Sequence, residues 1–349
     1  MTSGVDGLRI RVGRPGGAKY LRSLMGNPPE IGTRATKLAQ STALPRYGYA
    51  VQDRNWTYSE GIREAVSALL PGYSIDTVER LGSGTDHVAY EVNGELIVRF
   101  AKEADLERRA ELMRREHELL AAVAQVSPLP VPEPVPTDPE LGCLAYLKIQ
   151  GTPLLHAPGP ERLEHAESIA TTLGDFLTAI HAISGERIPD LVPSDDQSMR
   201  EWKLEAAALY ATVSERIPLA NRGPIEAFLR ARPPQERHSM AFSHNDLGIE
   251  HVLVDPATWT VTGVIDWSDA AFVDPACDFG LLYRDLGPAA LEAALRSYRN
   301  EAEQVGALRE RAVFYARCSV FEDLAYGVER DLTPYTDKSL AALEWLFKF

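Results

Sequence analysis

The sequence predicts an α+β protein of two lobes, a small β-rich one followed by a larger, mostly helical one. Three observations carry that expectation. At 349 residues the chain is longer than one hydrophobic core usually supports. Its β-branched and aromatic runs gather between residues 75 and 149. Beyond about residue 160 the apolar residues recur mainly at three- and four-residue intervals, the period of a helix packed on one face.

Residues 1–55 combine scattered Gly and Pro, little periodicity, and nine Lys/Arg against three Asp/Glu. They read as a poorly ordered basic extension, and Met25 offers an alternative start. The first lobe is assigned to 56–149. It opens with a helix from Thr57, where Thr57-Tyr58-Ser59-Glu60 has the form of a capping box and Ile62, Val66, Leu69 and Leu70 line one face before Pro71-Gly72. Strands are expected at 75–81, 88–92 and 96–100, with Asn93-Gly94 as the hairpin turn between the last two. A helix at 106–126 follows, then an extended Pro-rich segment at 129–134 and a strand at 144–149.

The second lobe is assigned to 150–349. A single amphipathic helix is expected at 161–183, with Leu163, Ala166, Ala170, Leu173, Leu177 and Ile180 on one face. Helices at 198–217 and 224–232 follow, the latter closed by Pro233-Pro234. Two short β-type runs, Val252–Val254 and 261–265, are joined through Asp255-Pro256 as a hairpin. Further helices are expected at 278–286, 289–300, 308–328 and 338–347.

The hairpin is where chemistry enters. Asp246 stands just before its first strand and Asp266 just after its second, so folding brings both carboxylates to one edge. Phosphoryl transfer from a nucleotide needs that layout: one carboxylate orients and deprotonates the accepting hydroxyl, and a second group holds the ions that bridge the phosphates. Upstream, Leu81-Gly82-Ser83-Gly84-Thr85-Asp86-His87 lies between two strands, and its small residues let backbone N–H groups approach phosphate oxygens.

The order of His244-Asn245-Asp246, His251, Asp266-Trp267 and Asp274-Pro275-Ala276-Cys277-Asp278 resembles the catalytic and metal loops of protein kinases. In wording it is closest to the aminoglycoside and macrolide phosphotransferase family, over roughly 57–349. That resemblance implies a bilobal protein-kinase-like fold and transfer of a γ-phosphoryl group from ATP or GTP, with Mg²⁺, to a hydroxyl of a small molecule. It makes Asp246 the catalytic base and His251 and Asp266 the metal ligands. Gly82, Ser83, Gly84 and Thr85 become the phosphate loop. Arg99 stands where a strand lysine is usual, with Lys102 as its competitor, and Glu116 is its helix partner. Tyr146 and Lys148 fall in the segment that meets the purine. Asp269, Glu322, Asp323 and Glu329 are the acids placed to meet a polyamine acceptor, and the phrase 321–329 resembles the corresponding helix of aminoglycoside 2″-phosphotransferases. His251 departs from the kinase Asn, and imidazole suits Mg²⁺ less well than oxygen does. His244 and Asp278 are expected to brace the loop rather than react.

Composition bounds the partners. The net charge of −14, with +6 on residues 1–55, leaves −20 on the remainder. So acidic a body disfavours nucleic acid and favours a cationic acceptor. An aminoglycoside is expected ahead of a macrolide, with a metabolite kinase as the rival enzyme. A kinase-like binding protein without turnover is the rival of another class, suggested by His87, Arg99 and His251. The 45% apolar content holds no run of 18 apolar residues, and the first residues lack the apolar stretch of a secretory signal. Cys143, Cys277 and Cys318 have neither zinc nor disulfide spacing. A cytoplasmic monomer is expected.

Overall fold

The computed structural model describes residues 58–348, apart from 71, 84–86, 136–141, 186–187, 189, 236–238 and 301–303. The basic extension and the Thr57 cap therefore lie outside the described residues.

The first lobe is an antiparallel sheet in the order β1-β2-β3-β4, made of β1 (Val78–Ser83), β2 (His87–Val92), β3 (Leu96–Ala101) and β4 (Cys143–Leu147). Asn93 and Gly94 both take positive φ, 53° and 72°, as a tight β2–β3 hairpin requires. The period of two in the strands divides their side chains cleanly. Leu96, Val98, Cys143 and Ala145 pack with Ile62, Val66 and Leu69 of α1 (Tyr58–Leu69) on the outer face. Ile97, Leu144 and Tyr146 pack inward with Met113, Leu119 and Leu120 of α2 (Leu106–Ala124). Asp105 caps α2, its carboxylate accepting from the N–H of Arg108.

The second lobe is mostly helical. The expected helix at 161–183 is two: α3 (Gly159–Glu164) and α4 (Ala166–His181), broken at His165, whose ring stacks on Trp259 with centroids 4.5 Å apart. Next come α5 (Met199–Val213), held by a Ser198–Glu201 capping box, and α6 (Leu219–Arg230), which starts earlier than expected and takes Pro224 inside it. The helices expected at 278–286 and 289–300 run as α7 (Ala276–Ser297), kinked where Gly287 adopts φ 83° before Pro288. The chain closes with α8 (Val305–Glu329) and α9 (Thr333–Leu346). Phe176, Phe242, Trp267 and Phe279 fill the centre of this lobe. No described helix is long and apolar enough to cross a membrane.

Two small sheets carry the site, between the first lobe and the helices. One is β5 (Thr152–Pro153), β7 (Val252–Val254) and β8 (Val261–Val264), in the order β5-β7-β8. The other pairs β6 (Ala241–Ser243) with β9 (Ala271–Val273). Strands β5, β6 and β9 are too short to show alternation in the sequence.

Candidate active site

The loop after β6 hangs from α7. The backbone N–H groups of His244 and Asn245 donate to the two oxygens of the buried Asp278, at 3.1 and 2.8 Å. His181 lies 3.0 Å from the same carboxylate and 3.0 Å from the Tyr298 hydroxyl, which braces it from behind. Asn245 takes φ 62°, a left-handed conformation that Asn tolerates, and its side chain donates to the backbone carbonyl of Asp269 at 3.0 Å. His244 uses both ring nitrogens: Nδ1 accepts from the N–H of Asp246 and Nε2 donates to the carbonyl of Ile265. Burial lowers its pKa to about 4, so the ring is neutral at physiological pH and ties the loop to the end of β8.

The β7–β8 register, Val252 opposite Val264, brings His251 and Ile265 together, the Ile265 N–H donating to the His251 carbonyl at 2.9 Å. The next residue, Asp266, turns with φ 66°. A single imidazole then spans the two catalytic candidates. His251 Nδ1 donates to the backbone carbonyl of Asp246 at 2.7 Å and lies 3.5 Å from its Oδ2, while Nε2 lies 3.7 Å from Asp266 Oδ2. Burial raises the Asp246 carboxyl well above the usual range; His251 pulls it down, and Asp269, Glu250 and Asp266 push it further up. Burial opposes protonation of His251, but the carboxylates of Asp246, Asp266 and Glu250 outweigh it and raise the ring.

His251 is 2% exposed, and its Nε2 has no hydrogen-bond partner. A buried ring nitrogen facing a carboxylate oxygen is a fit for a divalent cation, which competes there with a proton. Asp246, Glu250 and His251 also present ligand atoms within 4.8 Å of one another. Glu250 is paired with Lys338 at 2.8 Å, while His251 Nε2 and Asp266 Oδ2 stand 3.7 Å apart and could both reach one ion.

Arg99 shares the inward face of β3 with Ile97 and is 3% exposed. Its Nη1 meets Glu116 Oε1 at 2.5 Å. Its Nη2 donates to Ser268 Oγ at 2.9 Å, lies 3.2 Å from His87 Nδ1 and comes within 3.7 Å of Asp266 Oδ1. Tyr146 adds a contact to the same guanidinium and, like it, is buried. Lys102 lies past the end of β3 and is exposed, whereas Arg99 is buried within reach of Glu116 and Asp266.

The remaining expectations divide. Gly82 and Ser83 end β1, while Gly84 and Thr85 lie outside the described residues. Lys148, in the segment expected to meet the purine through its backbone, has its ammonium closed into a buried pair with Glu91 at 2.8 Å. Asp323 is turned to other charges, its Oδ2 lying 3.0 Å from Arg284 and 2.8 Å from Lys338. Glu322 is partly buried, Glu329 is exposed in the last turn of α8, and Asp269 lies close enough to Asp246 to raise its pKa. A cleft beside Asn245 is lined by Asp195, Asp196, Trp202, Met240 and Tyr315, none of which the sequence reading singled out. Also missed were Glu250, Arg284, Asp285 and Lys338, although Arg284-Asp285 is a charged pair inside the apolar stretch 279–286, which is a readable signal.

Three comparisons bear on this geometry. The family model described as phosphotransferase enzyme family matches residues 77–314. Viomycin phosphotransferase of Streptomyces vinaceus is 27% identical over 286 residues, 76% of this chain and 96% of that protein. The solved GDP complex of an aminoglycoside 2′-phosphotransferase-IIIa superposes with a TM-score of 0.60 at 21% identity, over 81% of this chain and 96% of that one. The macrolide 2′-phosphotransferase of Brachybacterium faecium does so with a TM-score of 0.54 at 22% identity, over 80% and 97%.

Proposed function

The chain belongs to the phosphotransferase enzyme family, and we propose that it transfers the γ-phosphoryl group of ATP or GTP to a hydroxyl of a cationic small-molecule antibiotic, an aminoglycoside first. The observation that carries this reading is the imidazole of His251 spanning Asp246 and Asp266 in the cleft where Arg99 also ends. Asp246 orients the acceptor hydroxyl and takes its proton; its raised pKa suits a base working near neutrality. His251 and Asp266 would hold Mg²⁺, which when bound neutralises charge on the phosphates. Arg99 keeps a buried Nε–H without an acceptor, a donor available to a phosphate oxygen.

For the acceptor, support comes from the acidic body and from the cleft beside Asn245. Two carboxylates, Asp195 and Asp196, stand there with Trp202 and Tyr315, residue types that suit ammonium groups. Relatives named for viomycin, aminoglycosides and macrolides bracket the choice. The reading puts the protein in the cytoplasm as a monomer, where nucleoside triphosphate is supplied. Its test is nucleotide turnover by the purified protein with ATP and with GTP, in Mg²⁺, with and without each antibiotic class. Acceptor-dependent release of diphosphate is expected, and turnover indifferent to every antibiotic would overturn the substrate class.

A further inference from the structure

The two oxygens of Asp266 have different neighbours. Oδ2 faces His251 Nε2 at 3.7 Å. Oδ1 accepts from the hydroxyl of Ser268 at 3.1 Å, and that hydroxyl accepts in turn from Arg99 Nη2 at 2.9 Å. Arg99 itself stops 3.7 Å short of Oδ1, beyond hydrogen-bonding range, so the serine completes the link. A hydroxyl donates and accepts at once, which this position uses in full. Ser268 is exposed, and both of its side-chain hydrogen bonds run into the site. The other flank of Nη2 is held by His87 Nδ1 at 3.2 Å, and His87 Nε2 lies 3.3 Å from Glu116.

We propose that Ser268 is a positioning residue for the nucleotide donor: it relays Arg99 of the first lobe onto Asp266 Oδ1 and so sets the orientation in which Oδ2, on the His251 side, meets the metal–nucleotide complex. The proposal rests on the reading of Asp266 as the ion-holding carboxylate. An arginine at this strand position divides its donors between two atoms, one on Glu116 and one free to reach across the cleft. The hydroxyl gives that second donor a partner and transmits its charge to Asp266. Removing it takes the Ser268 bond from Oδ1 and leaves Nη2 turned to His87.

The test compares Ser268→Ala, Ser268→Thr and Asp266→Ala with the wild-type chain. Nucleotide affinity is measured by calorimetry with Mg²⁺ and with EDTA, beside a thermal melt and the acceptor KM. Ser268→Ala should bind Mg²⁺–nucleotide about tenfold more weakly, the low end of the usual loss when a group that orients a metal ligand is removed. Its melting temperature and acceptor KM should stay at the wild-type values, and the difference from wild type should vanish in EDTA. Ser268→Thr keeps the hydroxyl and should bind as wild type does. Wild-type Mg²⁺–nucleotide affinity in Ser268→Ala, with affinity lost in Asp266→Ala, overturns the relay alone. Unchanged affinity in both overturns the role of Asp266 as well. A threonine variant as weak as the alanine one also sinks the relay, since the hydroxyl would then not be the active feature.

Discussion

Lys338 Nζ lies 2.8 Å from Glu250 Oε2, joining the last helix of the chain to the loop that carries Asp246. The same ammonium meets Asp285 at 3.1 Å and Asp323 at 2.8 Å, and Arg284 pairs with Asp285 and Asp323. Asp285 also accepts from the N–H of Ile249 at 3.2 Å, so backbone and side chain of that loop rest on one charge cluster. Burial disfavours the charge on Asp285, yet Arg284 and Lys338 hold its carboxyl well below the usual range.

Removing one member of such a cluster strands the others. Lys338→Met should cost about 3–5 kcal/mol, the usual penalty for leaving a buried partner unpaired. The double change Glu250→Gln with Lys338→Met should recover part of that loss, because it removes a carboxylate together with its cation. Urea unfolding of the two variants measures the difference, and equal stability would show that Glu250 is not what Lys338 compensates.

His244 gives stability a pH dependence of defined sign. Its folded pKa is near 4, below the ordinary value of 6.5, so the unfolded chain binds the proton more readily. Its contribution is complete above about 6.5 and is lost as pH falls towards 4, amounting to about 3 kcal/mol at 1.36 kcal/mol per unit. The depressed carboxyls of Asp285 and Glu250 act lower, their contribution fading as pH drops through and below the normal carboxylate range. Unfolding free energies at pH 7, 5.5 and 4.5 should decline in the wild type and decline less in His244→Asn. An equally steep fall in that variant would assign the effect elsewhere.

Asp246→Asn keeps size and removes the negative acceptor that the attacking hydroxyl needs. Turnover should fall at least about a hundredfold, as typical for loss of a general base. Nucleotide affinity should change little, because the phosphate-side groups Arg99 and Asp266 are untouched. Near-wild-type turnover in this variant would remove Asp246 from the mechanism.

The bilobal architecture and the two carboxylates were legible because local rules place them. Asn93-Gly94 dictates one hairpin, and the apolar runs around Asp255-Pro256 dictate another, whose ends carry Asp246 and Asp266. Arg99 could be placed inward once β3 was known, since Ile97 and Arg99 share strand parity. What stayed hidden depends on partners distant in sequence. The apolar period runs through Leu163, Ala166 and Ala170 without a break, yet α3 ends and α4 begins at His165, whose ring stacks on the distant Trp259. Asp323 looks like a free acid in the sequence, because Arg284 and Lys338 reach it from other helices. Ser268 carries no motif of its own and acquires a role only when Arg99 arrives from the other lobe.

The acceptor is expected to be recognised through charge. The body of the chain beyond residue 55 carries −20, and Asp195 and Asp196 line the cleft next to the Asn245 that precedes Asp246. An aminoglycoside presents several ammonium groups to such a surface, so its KM should rise with added salt as the attraction is screened over about 8–10 Å. A macrolide has one amine and a large apolar ring, and it would need a mainly hydrophobic pocket instead. Joint replacement Asp195→Asn with Asp196→Asn should raise the aminoglycoside KM by about threefold to tenfold with kcat nearly unchanged, the pattern of lost ground-state binding. A susceptibility panel in a sensitive host expressing the protein gives the independent readout. Protection against aminoglycosides, lost together with Asp246, supports the ranking. Protection against macrolides alone reverses it, and protection against neither class shifts the acceptor to a metabolite hydroxyl.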